Sequence, residues 1–201
     1  MMFYDLHKEK MRRMIAGDAS AEAAETLLIM ALHDEFQFGR ARLVQLFKTW
    51  NALPENTSSY EAEVSRNGYN RRRIDQGLIQ KLMVVIEADK IGKKKLRDYI
   101  HDCMLGVVVV TLYILCRDYG FKKDDVHRLE KRVYNYADIL LDPDTYGVTI
   151  WRFMASIRYE LNVRCEILKE FEKEYGRIDL GPKWGLNMKT GKPRKKNEAI
   201  A

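Results

Sequence analysis

The sequence predicts an all-α protein: a bundle of about six to eight helices, with two related helical hairpins around a buried central helix. Three observations carry this. Only four prolines occur in 201 residues, and the charged residues, 32% of the chain, mix both signs along its length. Segment after segment places its apolar residues three and four apart, the period of a helix with one buried face. One run, Cys103 to Cys116, has no charge in 14 residues. A membrane span needs about 20, so this run is expected to be a core helix of a soluble protein.

In chain order, residues 2–15 predict a short helix with Phe3, Leu6, Met11, Met14 and Ile15 on its apolar side. Its scattered charges and lack of an apolar core are unlike a signal peptide. Gly17-Asp18-Ala19-Ser20 is expected to break it. Ser20 would cap a second helix, with Glu22 and Glu25 at its positive end. That helix carries Ala24, Leu27, Leu28, Ala31 and Leu32 and ends near Phe36-Gln37. The next begins at Phe38-Gly39, with Leu43, Leu46, Phe47, Trp50 and Leu53 in one stripe, and Pro54 stops it. Ser58-Ser59-Tyr60-Glu61 has capping-box spacing and opens a short helix closing at Asn67-Gly68. Asn70 caps a helix bearing Ile74, Leu78, Leu82, Val85 and Ile86. After Gly92 the central helix runs through Tyr99, Ile100, Cys103, Val107, Val110 and Ile114 to Tyr119. Its four consecutive valines, Val107 to Val110, have strand propensity and make a strand the local competitor. Gly120-Phe121 turns the chain into a helix starting at Asp124 or Asp125, with Val126, Leu129, Val133, Tyr136, Ala137 and Leu140 in register. Asp142-Pro143-Asp144 ends it, and one long last helix is expected from Ile150 through Leu161 and Leu168 to Tyr175.

Beyond Leu180 the apolar period is lost. Residues 1–180 are expected to form one helical domain and 181–201 a flexible basic tail, which holds six basic residues and one acid of the chain's net +6. The body is thus close to neutral and the positive excess sits in the tail, a distribution suited to an arm that meets nucleic acid. Two shorter clusters reinforce it. Arg71, Arg72 and Arg73 open one helix, and Lys93, Lys94 and Lys95 another, where cations oppose the helix dipole. Three cysteines, Cys103, Cys116 and Cys165, form no C-x-x-C pair and read as buried reduced thiols.

Chemistry-bearing motifs are sparse. His33-Asp34 and His101-Asp102, with His7 and His127, supply the residue types of a His-Asp metal hydrolase, but the surrounding pattern does not match one. No phosphate loop, no G-x-G-x-x-G and no G-x-S-x-G is present. No enzyme, metal or cofactor is expected.

The strongest internal signal is a repeat. Leu32-His33-Asp34-Glu35-Phe36-Gln37-Phe38-Gly39-Arg40 returns 83 positions later, with Leu115, Asp118, Tyr119, Phe121 and Lys123 matching Leu32, Glu35, Phe36, Phe38 and Arg40. Leu129 likewise matches Leu46, and a weaker third copy is Glu174-Tyr175-Gly176. Convergent helix-corner chemistry and an internal duplication both account for it. The first corner also has a helix-turn-helix outline, with Gly39 at the turn and Arg40, Arg42, Gln45 and Lys48 outward on the second helix.

Over residues 30 to about 50 this corner, Leu32-His33-Asp34-Glu35-Phe36-Gln37-Phe38-Gly39, resembles one found in uncharacterised small helical proteins of phages and prophages of Gram-positive bacteria. Those proteins have glycine where this chain has Gln37. The resemblance implies a phage setting, hence the cytoplasm of a bacterial host, and transfers no functional residue. The reading that combines these features is a non-enzymatic, phage-encoded, DNA-binding or regulatory helical protein. Lys183, Lys189, Lys192, Arg194, Lys195 and Lys196 would neutralise phosphates, Trp184 would stack on a base, and Arg71–Arg73 and Lys93–Lys95 would assist. The alternative is a protein-binding module: an inhibitor of a host enzyme or defence complex (anti-CRISPR-like), or an assembly factor. The expected partners are accordingly nucleic acid or a nucleic-acid-binding host protein, and a second copy of the chain, but no membrane.

Overall fold

The computed structural model describes residues 2–54, 57–88, 91–163 and 165–180, with side chains from residue 16 onward except at 57 and 58. Among these residues there are nine helices and no strand: α1 (Met2–Phe36), α2 (Arg40–Ala52), α3 (Thr57–Arg66), α4 (71–85), α5 (Lys94–Tyr119), α6 (Lys123–Leu141), α7 (Pro143–Tyr146), α8 (Ile150–Leu161) and α9 (Glu166–Tyr175). The ninth beyond the expected eight is α7, a single turn that Asp142 caps by accepting from the Thr145 N–H at 3.2 Å.

The four valines belong to a helix. Val107 to Val110 are all buried within α5, whose buried side also takes in Ile100, Met104, Leu112, Ile114 and Leu115. A residue run that is apolar on every face is satisfied by neighbours on every face, and α1, α3, α2 and α4 supply them. Among the described residues α5 is the one helix long and apolar enough to cross a membrane, and 61% of its most apolar window is covered by the protein itself.

The break expected at Gly17 does not occur. α1 continues through it as a single helix of 35 residues. Gly17 instead permits contact: a Cβ there would stand 2.7 Å from Cε1 of Tyr99, so the missing side chain lets the tyrosine ring of α5 lie against the helix. Ser20 does not cap a new helix but back-bonds within α1, donating to the Gly17 carbonyl at 2.7 Å. α3 likewise starts before the proposed cap, at Thr57, so Ser58 and Ser59 fall inside the helix. Asn70 does cap α4, accepting from the Arg73 N–H at 3.0 Å. Within α4, Asp75–Ile79 is wound as a π segment. There the Tyr134 hydroxyl of α6 donates to the Arg73 carbonyl at 3.1 Å, and its ring lies against Gly77.

The last long helix is two. Asn162 takes a left-handed conformation (φ 52°) and ends α8, a conformation asparagine tolerates better than most residues. α9 then folds back on α8: Trp151 stacks on Phe171 at 4.1 Å, and Glu172 accepts from Arg158 at 3.0 Å and from Tyr159. The N-terminus of α9 is held by Glu22 of α1, whose Oε2 accepts from the Ile167 N–H at 3.2 Å and the Cys165 thiol at 3.1 Å.

The 83-residue repeat is a structural register. α1 and α5 run parallel and pack more extensively on each other than any other pair of helices. Gly17 faces Tyr99 at one end, and the two aromatic corners meet at the other. Phe36 packs on Phe121 at 4.6 Å and 40°, and Phe38 on Tyr119 at 5.0 Å and 47°. Adding 83 to Phe36 and subtracting it from Phe121 converts the first pair into the second. The remaining pair, Phe38 with Phe121 edge-on at 6.3 Å, maps onto itself. The corners therefore obey a pseudo-two-fold axis running along the helix pair. Both close alike: the Phe38 N–H donates to the Leu32 carbonyl and the Phe121 N–H to the Leu115 carbonyl, each at 3.1 Å. Gln37 (φ 56°) and Gly120 (φ 70°) are the left-handed residues at matching places. Each helix that leaves a corner packs on the long helix of the other unit, α2 on α5 and α6 on α1, so the two hairpins are interlocked.

Candidate nucleic-acid interface

The predicted cations fall into four groups, and the structure treats them differently. On α2, Arg40, Arg42, Gln45 and Lys48 are all exposed. The helix (Arg40–Ala52) contains no acidic residue, and Arg40 and Lys48 have no ion-pair partner among the described residues. Arg42 lies over the Phe38 ring at 5.5 Å, and its carbonyl accepts from the Tyr119 hydroxyl at 3.1 Å. The corner thus fixes where α2 begins and leaves its cationic face open. Leu43 and Leu46 are the buried residues that seat the opposite face. Val44, 42% exposed, sits among the cations.

At the start of α4 the three arginines are largely spent on the fold. Arg71 pairs with Glu61 at 3.0 Å. Arg73 pairs with Glu130 of α6, whose side chain is only 4% exposed. Burial pushes the Glu130 carboxyl up to about 7, with Arg73 pulling the other way. Arg72 alone of the three is exposed with no ion pair among the described residues. Lys93, Lys94 and Lys95 are exposed at the start of α5. His101 pairs with Asp75, one turn beyond the arginines and two turns beyond the lysines, so both clusters flank one contact between α4 and α5. Lys183, Trp184, Lys189, Lys192, Arg194, Lys195 and Lys196 lie outside the described residues.

The histidine pairs do not assemble. His33 Nδ1 is 3.1 Å from the Phe38 carbonyl and helps close the corner. His101 is bracketed by Asp75 and, at 3.3 Å from Nδ1, Asp102. In the parallel register His101 lies level with residue 18, fifteen residues from His33, which is about 22 Å along the helix. Among the described residues no group of three His, Cys, Asp or Glu side chains could hold a metal ion. The thiols are partly buried and unpaired with one another. Burial raises Cys116 to about 11 and Cys165 to about 12, and raises Cys103 as well. Thiols held protonated in this way are poor nucleophiles.

Sequence reasoning passed over a second cationic surface. Arg128, Lys131, Arg132 and Asn135 on α6, with Glu35 of α1, line an open cleft of about 290 Å³. Offset by 83, Arg128 and Lys131 correspond to Gln45 and Lys48. Carrying the repeat past the corner by those positions would have found them. No protein-family model matches the chain, and no curated protein or solved structure is significantly similar to it.

Proposed function

We propose that this is a non-enzymatic, phage-encoded protein that associates with nucleic acid in the host cytoplasm, with α2 as its principal contact. The observation that carries the reading is the acid-free helix Arg40–Ala52, which presents Arg40, Arg42, Gln45 and Lys48 to solvent from a corner locked by aromatic packing. A rigid helix with three cations and an amide on its open side is suited to lie along phosphates, and Gln45 can reach base edges. Arg72, Lys94 and Lys95 extend the positive surface, and Arg71 and Arg73 hold the elements that bear it. The test is fluorescence anisotropy with a labelled DNA duplex and a labelled single strand. The full chain is compared with Arg40→Gln/Arg42→Gln/Lys48→Gln, whose changes are exposed. The reading expects binding by the full chain and about a hundredfold loss in the triple variant, roughly 1 kcal/mol per charge. Equal binding by both proteins, or none by either, rejects it.

A second reading is a protein-binding module directed at a host enzyme or defence complex. It is favoured by Leu141 (39% exposed), Tyr146 (54%) and Tyr175 (68%), since aromatic residues are enriched at protein interfaces. Pull-down from nuclease-treated host lysate separates the two: a stoichiometric protein partner that survives nuclease favours this one.

A further inference from the structure

The cleft between α1 and α6 has donors that the fold does not use. Glu35 is its one lining acid, facing Arg128, Lys131 and Arg132. Glu35 Oε1 accepts from Arg128 Nη2 at 2.8 Å and Nε at 3.1 Å, and Oε2 lies 3.5 Å from Arg132 Nη2. Arg128 also approaches Asp125, at 3.8 Å, too far for a hydrogen bond. Both guanidinium groups rest on rings, Arg128 over Phe36 at 5.0 Å and Arg132 over Tyr136 at 5.8 Å. Tyr136 is in turn tied to Asp34 through its hydroxyl. The arginines are therefore positioned before any ligand arrives. Nε of Arg132 is buried with no hydrogen-bond partner, so Glu35 leaves this guanidinium incompletely satisfied, and its exposed Nη end is the part that can meet a ligand. Lys131 is exposed and has no ion pair among the described residues.

The pseudo-two-fold copy of this place is built from different residues. Asp118 stands where Glu35 does, and it is taken up by Arg117 at 2.5 Å and by the Thr49 hydroxyl. Gln45, Thr49 and Ala52 occupy the positions of Arg128, Arg132 and Asn135. Only the α6 side lines a cleft with two arginines, a lysine and an amide around a single acid, which the two arginines alone contact. One carboxylate cannot satisfy that set.

We infer that this cleft is a phosphate-oxyanion site, with Arg132, Lys131 and Asn135 as ligand donors and Glu35 as the residue that orients the two arginines. The lining carries a net charge of +2, which matches a phosphate monoester dianion or two successive phosphodiesters. A planar guanidinium beside a mobile ammonium is the combination that grips phosphate oxygens. At about 290 Å³ the cleft is at the lower edge of the roughly 300–1,000 Å³ of small-ligand sites, a size suited to a phosphate group and not to a larger ligand. This site is separate from the face of α2 and does not depend on it.

The test is a titration of the full chain with inorganic phosphate, followed through the arginine Nε–Hε signals in proton–nitrogen NMR spectra. A saturable shift of the Arg132 signal is expected. Lys131→Gln, an exposed change that leaves the fold intact, should weaken phosphate about tenfold, the loss of one charge-assisted bond. Lys173→Gln, on α9, should leave it unchanged. Arg132→Lys removes the planar guanidinium and, followed through the remaining Arg128 signal, should abolish saturation. A second arm adds a short single-stranded oligonucleotide. Displacement of phosphate by it assigns the site to a nucleic-acid backbone, and no displacement assigns it to a free phosphate. Absence of a saturable Arg132 shift, or equal affinity in Lys131→Gln, overturns the inference. No oligonucleotide binding by the full chain, or equal binding in the α2 triple glutamine variant, with phosphate still shifting Arg132, would reject the proposed function and leave this site standing.

Discussion

The two corners make opposite predictions for one kind of substitution. Gln37 and Gly120 hold the same left-handed place, at φ 56° and 70°. An L-residue there costs about 1–2 kcal/mol relative to right-handed backbone. Glycine escapes most of that but loses about 0.5–1 kcal/mol more chain entropy on folding. The net advantage of glycine is then about 0.5–1 kcal/mol. Nothing else confuses the comparison, because the Gln37 side chain is exposed with no hydrogen-bond partner among the described residues, and a Cβ at Gly120 would meet nothing within 4 Å. Gln37→Gly should therefore raise stability by about 0.5–1 kcal/mol, and Gly120→Ala should lower it by a similar amount. Urea unfolding followed by circular dichroism measures both, with midpoints moving in opposite directions at unchanged slope. If Gln37→Gly proves neutral or harmful while Gly120→Ala is tolerated, the two corners do not share a conformation and the pseudo-symmetry argument fails.

Two further outcomes follow from the core. Burial and the neighbouring Glu22 charge push the Glu25 carboxyl up to about 7. A carboxyl raised in the folded state contributes stability in full below its ordinary value near 4.5 and loses it as pH rises to about 7. Glu25→Gln should thus match the parent at pH 4 and exceed it by at most about 3 kcal/mol at pH 8, read as melting temperature. A gain as large at pH 4 as at pH 8 contradicts this. Glu130, raised in the same direction, keeps part of the pH dependence in that variant. Leu112→Ala empties a position only 1% exposed in the middle of α5. It should cost about 2–5 kcal/mol by chemical unfolding; a cost below about 1 kcal/mol would mean that α5 is not central.

The helical class and the central helix were legible because they rest on period and apolarity, which burial enforces. The pairing of the repeat was legible only as an offset, since its meaning depends on α1 and α5 lying parallel in the same register. Where local rules failed, a tertiary contact had overridden them. Gly17 reads as a break, yet the Tyr99 ring fills the space of its absent side chain and the helix continues. Glu22 reads as belonging to a helix start in its own segment, yet it caps α9, more than 140 positions away. The split between α8 and α9 rests on one left-handed residue, Asn162, in a stretch whose apolar stripe had merely thinned. At the candidate interface, Arg40, Arg42, Gln45 and Lys48 are exposed as the stripe on α2 required. Nothing local could show that Arg71 and Arg73 are engaged by Glu61 and Glu130, or that Arg128 and Arg132 converge on Glu35. Those pairings join different helices.

The salt dependence of nucleic-acid binding tests the account most directly. About five phosphate contacts by the full chain predict a log–log slope of affinity against salt near −4 to −5. Three of those contacts are assigned to Arg40, Arg42 and Lys48, so the triple glutamine variant should flatten the slope by about 2.7. An unchanged slope in the variant, or affinity that does not respond to salt in the full chain, would contradict it.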